Sequence, residues 1–289
     1  MLALAYWIAA PEPQGDPPAQ KPPAAVREVE RFLSLSSTGP IARSIEHTAR
    51  YFAGKPVRGD EGWFLTQAAV SLGGDYRHWA EGLELSPDAL RGAELTDIDT
   101  ELELWELRNL PLAELPTLPA PTVDPPPPGR ATSSNSTAEV VHLLDLLHLT
   151  LQCSEASGAD REELIARLWP PGETDLLVGQ LWALSMAAAQ ECLSPAQLRE
   201  LRPKLAASTY AELLSDSQMT DRTVARMAIL CAAGVCSWIP DAYFRRLVSH
   251  HRDAGIWQLK TASRARTEHH VTALAFYALA RRWQCELER

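Results

Sequence analysis

The densest set of side chains able to do chemistry is His250, His251, Asp253, Glu268, His269 and His270, with Trp257 and Thr272 close by in the chain. Imidazoles and carboxylates together can ligate zinc or shuttle protons, because histidine titrates near neutral pH and both groups are good metal donors. The spacing does not specify a metal centre. Cys231 and Cys236 are five apart rather than three, and His-Glu-x-x-His is absent. A thiolate route, with Cys231 or Cys236 as nucleophile and His269 or His270 as base, has the right inventory. Both cysteines, however, lie in the apolar run Met227-Ala-Ile-Leu-Cys-Ala-Ala-Gly-Val-Cys, where burial raises a thiol pKa. No catalytic residue, metal or cofactor is therefore assigned. For His270 and Thr272 the simpler expectation is structural: near a helix start their side chains satisfy free backbone N–H groups and hold the preceding turn.

The elements that must position these residues read as helices. After residue 136, apolar side chains fall on several faces of four segments: Val140 to Leu151, Asp175 to Cys192, Asp221 to Val235 and Glu268 to Trp283. That pattern predicts buried helices. The first three are each followed by a segment expected to form a shorter, more amphipathic helix, with start signals at Asp160, Ser194-Pro195 and Pro240-Asp241. Starts at Thr137, Thr174, Thr220 and Glu268 give spacings of 37, 46 and 48 residues, the mark of an αα-hairpin repeat. Earlier members are expected at Ala25 to Leu35, Ile41 to Phe52, Gly62 to Leu72 and Tyr76 to Leu83. Strand signals are nearly absent. The predicted fold is all-α, with αα-hairpins curved into an open or closed toroid-like bundle of two concentric layers.

Proline punctuates the chain: six of the 22 lie between Pro11 and Pro23 and eight between Pro111 and Pro128. This predicts a leader or anchor with a linker over 1–23, a helical region over 24–110, an extended, solvated linker over 111–136 and an αα-repeat domain over 137–289. The alternative is one continuous helical domain with a long surface loop. Net charge is -10, which argues against nucleic acid as a partner, since phosphate binding needs a positive footprint. Met1 to Ala10 is apolar and looks like the end of an export signal, so an exported or membrane-tethered protein is expected, with a cytoplasmic one as the alternative. The five cysteines cannot all pair within one chain. In an oxidising compartment one or two bridges are expected, their connectivity open; otherwise several are small buried hydrophobes. Asn135-Ser136-Thr137 is a formal glycosylation acceptor.

The stretch Asp253-Ala-Gly-Ile-Trp-Gln, followed by Glu268-His-His-Val-Thr-Ala-Leu-Ala-Phe-Tyr-Ala-Leu-Ala, resembles the repeat of α/α-toroid proteins, the architecture of terpenoid cyclases and protein prenyltransferase β subunits. Over roughly 174 to 280 the chain also resembles an uncharacterised secreted animal family with thyroid-enriched expression. The shared features are Leu176 to Cys192, Asp221 to Cys231, Trp238 to Tyr243, Asp253 to Trp257, and His270-Val271-Thr272 to Ala275. Where that family has Gly-Cys in the turn, this chain has Gly255-Ile256. The likeness implies a secreted, self-associating helical protein. The chemistry of the toroid enzymes is not implied: Asp-x-Cys, Asp-x-Asp-Asp and Asp-Asp-x-x-Asp are all absent. The expected function is thus a non-enzymatic, exported or membrane-tethered toroid-like protein that binds a protein or apolar ligand through rim and cavity, with a homodimer and an upstream tether as expected associations. The alternative is an enzyme using the cavity on an isoprenoid, lipid or glycan.

Overall fold

The computed structural model describes residues 39–86, 102–110, 112, 115, 118–121, 145–154, 157–169, 174–259 and 267–287, and the statements below concern these. Met1 to Pro23, Ala25 to Leu35, the Asn135 acceptor and most of 111–136 lie outside the described residues.

Local signals set the helices. Pro40 opens α1 (Pro40–Phe52), whose apolar positions Ala42, Ile45, Ala49 and Phe52 recur every three or four residues and are buried. Helix α2 (Gly59–Leu72) starts where Glu61 Oε2 accepts the Arg58 backbone N–H at 3.0 Å. Every residue from Glu61 to Ala69 is buried. A short α3 (Asp75–Glu81) follows. Strand β1 (Pro56–Val57) then pairs in parallel with β2 (Glu84–Leu85), a two-residue ladder on an otherwise helical chain. Helices α4 (Gly158–Leu168), α6 (Pro195–Ser215) and α7 (Asp221–Ala232) are capped by Ser157, Ser194 and Thr220, each accepting an N–H three residues on. Between them lies α5 (Thr174–Ala189); α8 (Asp241–Ser249) and α9 (Thr267–Leu287) complete the series. The all-α class is as expected.

The expected step from a long helix to a shorter one holds from α7 to α8, of 12 and 9 residues, but fails from α5 to α6, of 16 and 21. Helix α6 has 21 residues, while the apolar α7 that follows it has 12. Pro203 does not stop α6, because Leu201, Leu205, Ala206 and Leu213 still bury one side of it on the core. The expectation of a solvated chain from Pro111 onward is also corrected at its front end. Leu112 and Leu118 pack against the core, and the Leu118 carbonyl accepts from Trp238 Nε1 at 2.9 Å. The leucines between the prolines supply the apolar contact.

Buried residues from Ile45 to Ala280 form one hydrophobic cluster. The largest helix–helix contact joins α2 and α9. These run parallel: Asp60 meets His270 at their starts, and Ser71 accepts from Arg281 near their ends. Helices α6 and α7 are antiparallel. Arg202 donates to the Ala233 carbonyl at one end, and Arg226 pairs with Asp216 and Glu212 at the other. Cys153 is bonded to Cys192, tying the stretch 145–154 to the end of α5, and Cys231 is bonded to Cys236; Cys285 is free. Among the described residues no helix is long and apolar enough to cross a membrane.

Candidate functional site

The starts of α2 and α9, the last turns of α1 and the turn after α8 converge. The sequence places the acids of α2 at a helix start, Arg58-Gly-Asp-Glu, and those of α9 likewise, Thr267-Glu-His-His. Parallel packing brings the two starts side by side. His270 Nδ1 lies 3.0 Å from Asp60 Oδ2; that edge of the ring is buried, while the side chain as a whole keeps 37% exposure. Burial opposes charge on both partners, but each stabilises the other's ion. His270, with Arg58, holds the Asp60 carboxyl down at about 2, and Asp60, with Glu61, holds the His270 imidazole above its ordinary value. Glu61 is in the opposite position: burial, then repulsion from Asp60, pushes its carboxyl up to about 7.

Helix α1 joins the two predicted groups of histidines. The Tyr51 hydroxyl and His269 Nε2 are 2.7 Å apart, and one turn earlier the His47 ring is 5.7 Å from that of His251. Burial, then the Lys55 charge, lowers the His269 pKa, and Lys55 Nζ sits 3.3 Å from the centre of the Tyr51 ring. Burial, with Glu268 and Glu61, raises Tyr51. His251 is brought down to about 4 by burial, then by His47, against the pull of Asp253.

The turn itself is held by Thr272 and Trp257. The Trp257 backbone N–H donates to Thr272 Oγ1 at 3.3 Å, while that hydroxyl donates to the Glu268 carbonyl within its own helix. The buried Trp257 indole donates to the Leu247 carbonyl at 3.0 Å. Gly255 has φ +82°, and a Cβ there would collide with the His47 carbonyl, so glycine is required on both counts.

Of the predicted residues, His251, Trp257, His269, His270 and Thr272 are thus brought to one junction. His250 ends α8, and Asp253 and Glu268 are exposed around it. Sequence reading missed His47, Tyr51, Arg58, Asp60 and Glu61. The available signal was the acidic pair opening an apolar helix, the same pattern that opens α9. Among the described residues no three of the candidate ligands stand together as a metal site. Cys231 and Cys236, paired and buried, present no thiolate to His269 or His270.

Among the described residues, two clefts lie away from this junction. One of about 820 Å³ is lined by Glu103, Glu106, His148, Gln152 and Asp160. The other, about 710 Å³, lies beside Cys192 and is lined by Ile165, Leu193, Pro195 and Leu198. Neither includes a residue of the histidine junction. Further along α2 and α9, Trp63, Phe64 and Tyr277 pack with Trp182 of α5: Phe64 stacks on Trp182 at 5.1 Å and Tyr277 lies 5.7 Å from Phe64. No family model, curated protein or solved structure matches the chain.

Proposed function

We propose that this chain is an exported or membrane-tethered interaction protein, a toroid-like ring of helices that engages a protein partner through the rim where α2 and α9 begin, rather than an enzyme. The observation that carries this reading is the aromatic packing between α2, α5 and α9. Trp63, Phe64, Trp182 and Tyr277 pack ring against ring, and in the proposed ring of helices they fill the centre that a cavity enzyme would leave open to substrate. Parallel α2 and α9, with antiparallel α6 and α7, support the ring, and the Cys153–Cys192 bridge supports an oxidising compartment.

A second reading, an enzyme acting on an isoprenoid, lipid or glycan, is favoured by one observation. The Asp60–His270 pair leaves the far side of an oriented imidazole toward solvent, as a general base requires. The two readings separate by photo-crosslinking. A crosslinker at exposed Asp253 should trap one discrete protein from the exported fraction of the native host, and the same group at exposed Glu200 on α6 should not. Equal capture from both positions, or turnover of such a substrate that disappears in His270→Ala, would reject the interaction reading.

A further inference from the structure

The three histidines of the junction differ in how their buried nitrogens are satisfied. His269 Nε2 has the Tyr51 hydroxyl, and His270 Nδ1, though outside good hydrogen-bond geometry, has the Asp60 carboxylate 3.0 Å away as its ion partner. His251 Nε2 is buried and, among the described residues, has neither a hydrogen-bond partner nor an ion partner. Its ring lies 4.5 Å from Trp257 and 5.7 Å from His47. The turn carrying it is fastened to three helices: to α9 through Thr272, to α8 through the Leu247 and Val248 carbonyls, which accept from the Trp257 indole and the His251 N–H, and to α1 by the close approach of Gly255 to His47 and Tyr51, with Trp257 seated in the core. An isolated bridge between His251 and Trp257 closes the turn on itself.

We propose that the turn 251–257 is an acid-released latch, seated on α1, α8 and α9 while His251 is neutral and expelled when His251 takes a proton beside His47.

The surroundings give that proton little compensation. From α1 the facing groups are His47 and Tyr51. On the turn there is Asp253, exposed, which alone favours the cation. From α9 the contact is the uncharged Thr272, and from α8 the Leu247 and Val248 backbone carbonyls. Glu268 acts on Tyr51 and His269 instead, and Lys55 stands over Tyr51.

With its pKa near 4 against an ordinary 6.5, His251 binds fewer protons in the seated turn than in the released one. Seating is therefore fully favoured above 6.5 and lost as pH falls toward 4. Of the neighbouring groups only His269, lowered by burial and Lys55, also binds fewer protons in the packed junction. Glu61 becomes neutral, which relieves its burial. Asp60 stays ionised against charged His270 down to about 2. A protonated His269 donates to the Tyr51 oxygen whichever tautomer the neutral ring holds, so that contact survives.

The test is hydrogen exchange of the full chain, corrected for intrinsic rates, at about pH 7 and about pH 4.5, comparing peptides over 250–258 with controls in α5 and α7. Protection of 250–258 is expected to fall at least about tenfold in acid with the controls unchanged. His251→Phe, which keeps an aromatic ring against Trp257, should stay protected. His47→Gln removes the second imidazole and should move release to lower pH. Undiminished protection in acid overturns the proposal, as does a loss that persists in His251→Phe or appears equally in α5 and α7. If His251→Phe does not fold, an unchanged release pH in His47→Gln overturns it.

Discussion

Replacing Glu61 by Gln should stabilise the protein at alkaline pH and remove much of its pH dependence. Glu61 is 3% exposed and sits beside Asp60, and its carboxyl pKa is pushed up from 4.5 to about 7. A raised carboxyl means that the folded state binds more protons than the unfolded one. Its stabilisation is complete below 4.5 and is lost as pH rises through 7. The full span, about 2.5 units at 1.36 kcal/mol each, sets a ceiling of about 3 kcal/mol. Gln keeps an acceptor for the Arg58 N–H and removes the repulsion from Asp60, but it also removes an attraction for His270. A net gain of about 1–2 kcal/mol at pH 8 follows, or about 2–8 °C in melting temperature for a chain of this size. Thermal melts by circular dichroism from about pH 5 to about pH 8.5 provide the assay. Wild type and variant should melt together near pH 5 and diverge above 7. His270 leaves a residual slope of the same sign in both, since its raised pKa also makes stability fall as pH rises. A variant equal to or weaker than wild type at pH 8, or one retaining the full slope, would refute the reasoning.

Three further outcomes are expected. Thr272→Ala removes the acceptor for the Trp257 N–H at a buried position and should cost about 1–2 kcal/mol in urea unfolding, with metal content unchanged. Glu191 ends α5 with φ 58°, while Cys192 N–H reaches back to the Ala187 carbonyl, so Glu191→Gly should stabilise by about 0.5–1 kcal/mol in the same assay. Reducing Cys153–Cys192, which closes a separation of 39 residues, should cost about 2–4 kcal/mol, measured by comparing the Cys153→Ser, Cys192→Ser double variant with wild type.

The helix starts were legible because caps are local. In Ser194-Pro195-Ala196-Gln197 the Ser hydroxyl accepts from the Gln197 N–H, and the Gln197 side chain accepts from the Ser194 N–H. The length of α6 was not legible, because propensity at Pro203 argues for an end and only tertiary burial of Leu205 and Leu213 overrides it. The histidine-rich half of the site was visible as composition. Its other half was not, since Tyr51 and His269 are 218 residues apart in sequence and nothing at either position names the other. The two bridges, 39 and five residues apart, match no framework that spacing could have picked out.

The parallel packing of α2 and α9 accounts for the character of this junction without reference to catalysis. Each helix start carries the equivalent of roughly half a positive charge on its unpaired N–H groups, and side-by-side parallel starts repel. Acids in both first turns answer that field: Asp60 and Glu61 on α2, and Glu268 on α9. With Glu61 buried and Asp60 half-buried beside it, the two carboxylates repel one another, and one of them must take a cation or a proton. His270 supplies the cation to Asp60 from across the helix pair, and Glu61 is left to take the proton near neutrality. The perturbed titration at this site is thus a consequence of helix direction. That is why Glu61→Gln is expected to stabilise the fold, whereas loss of an acid needed in its ionised form would weaken it.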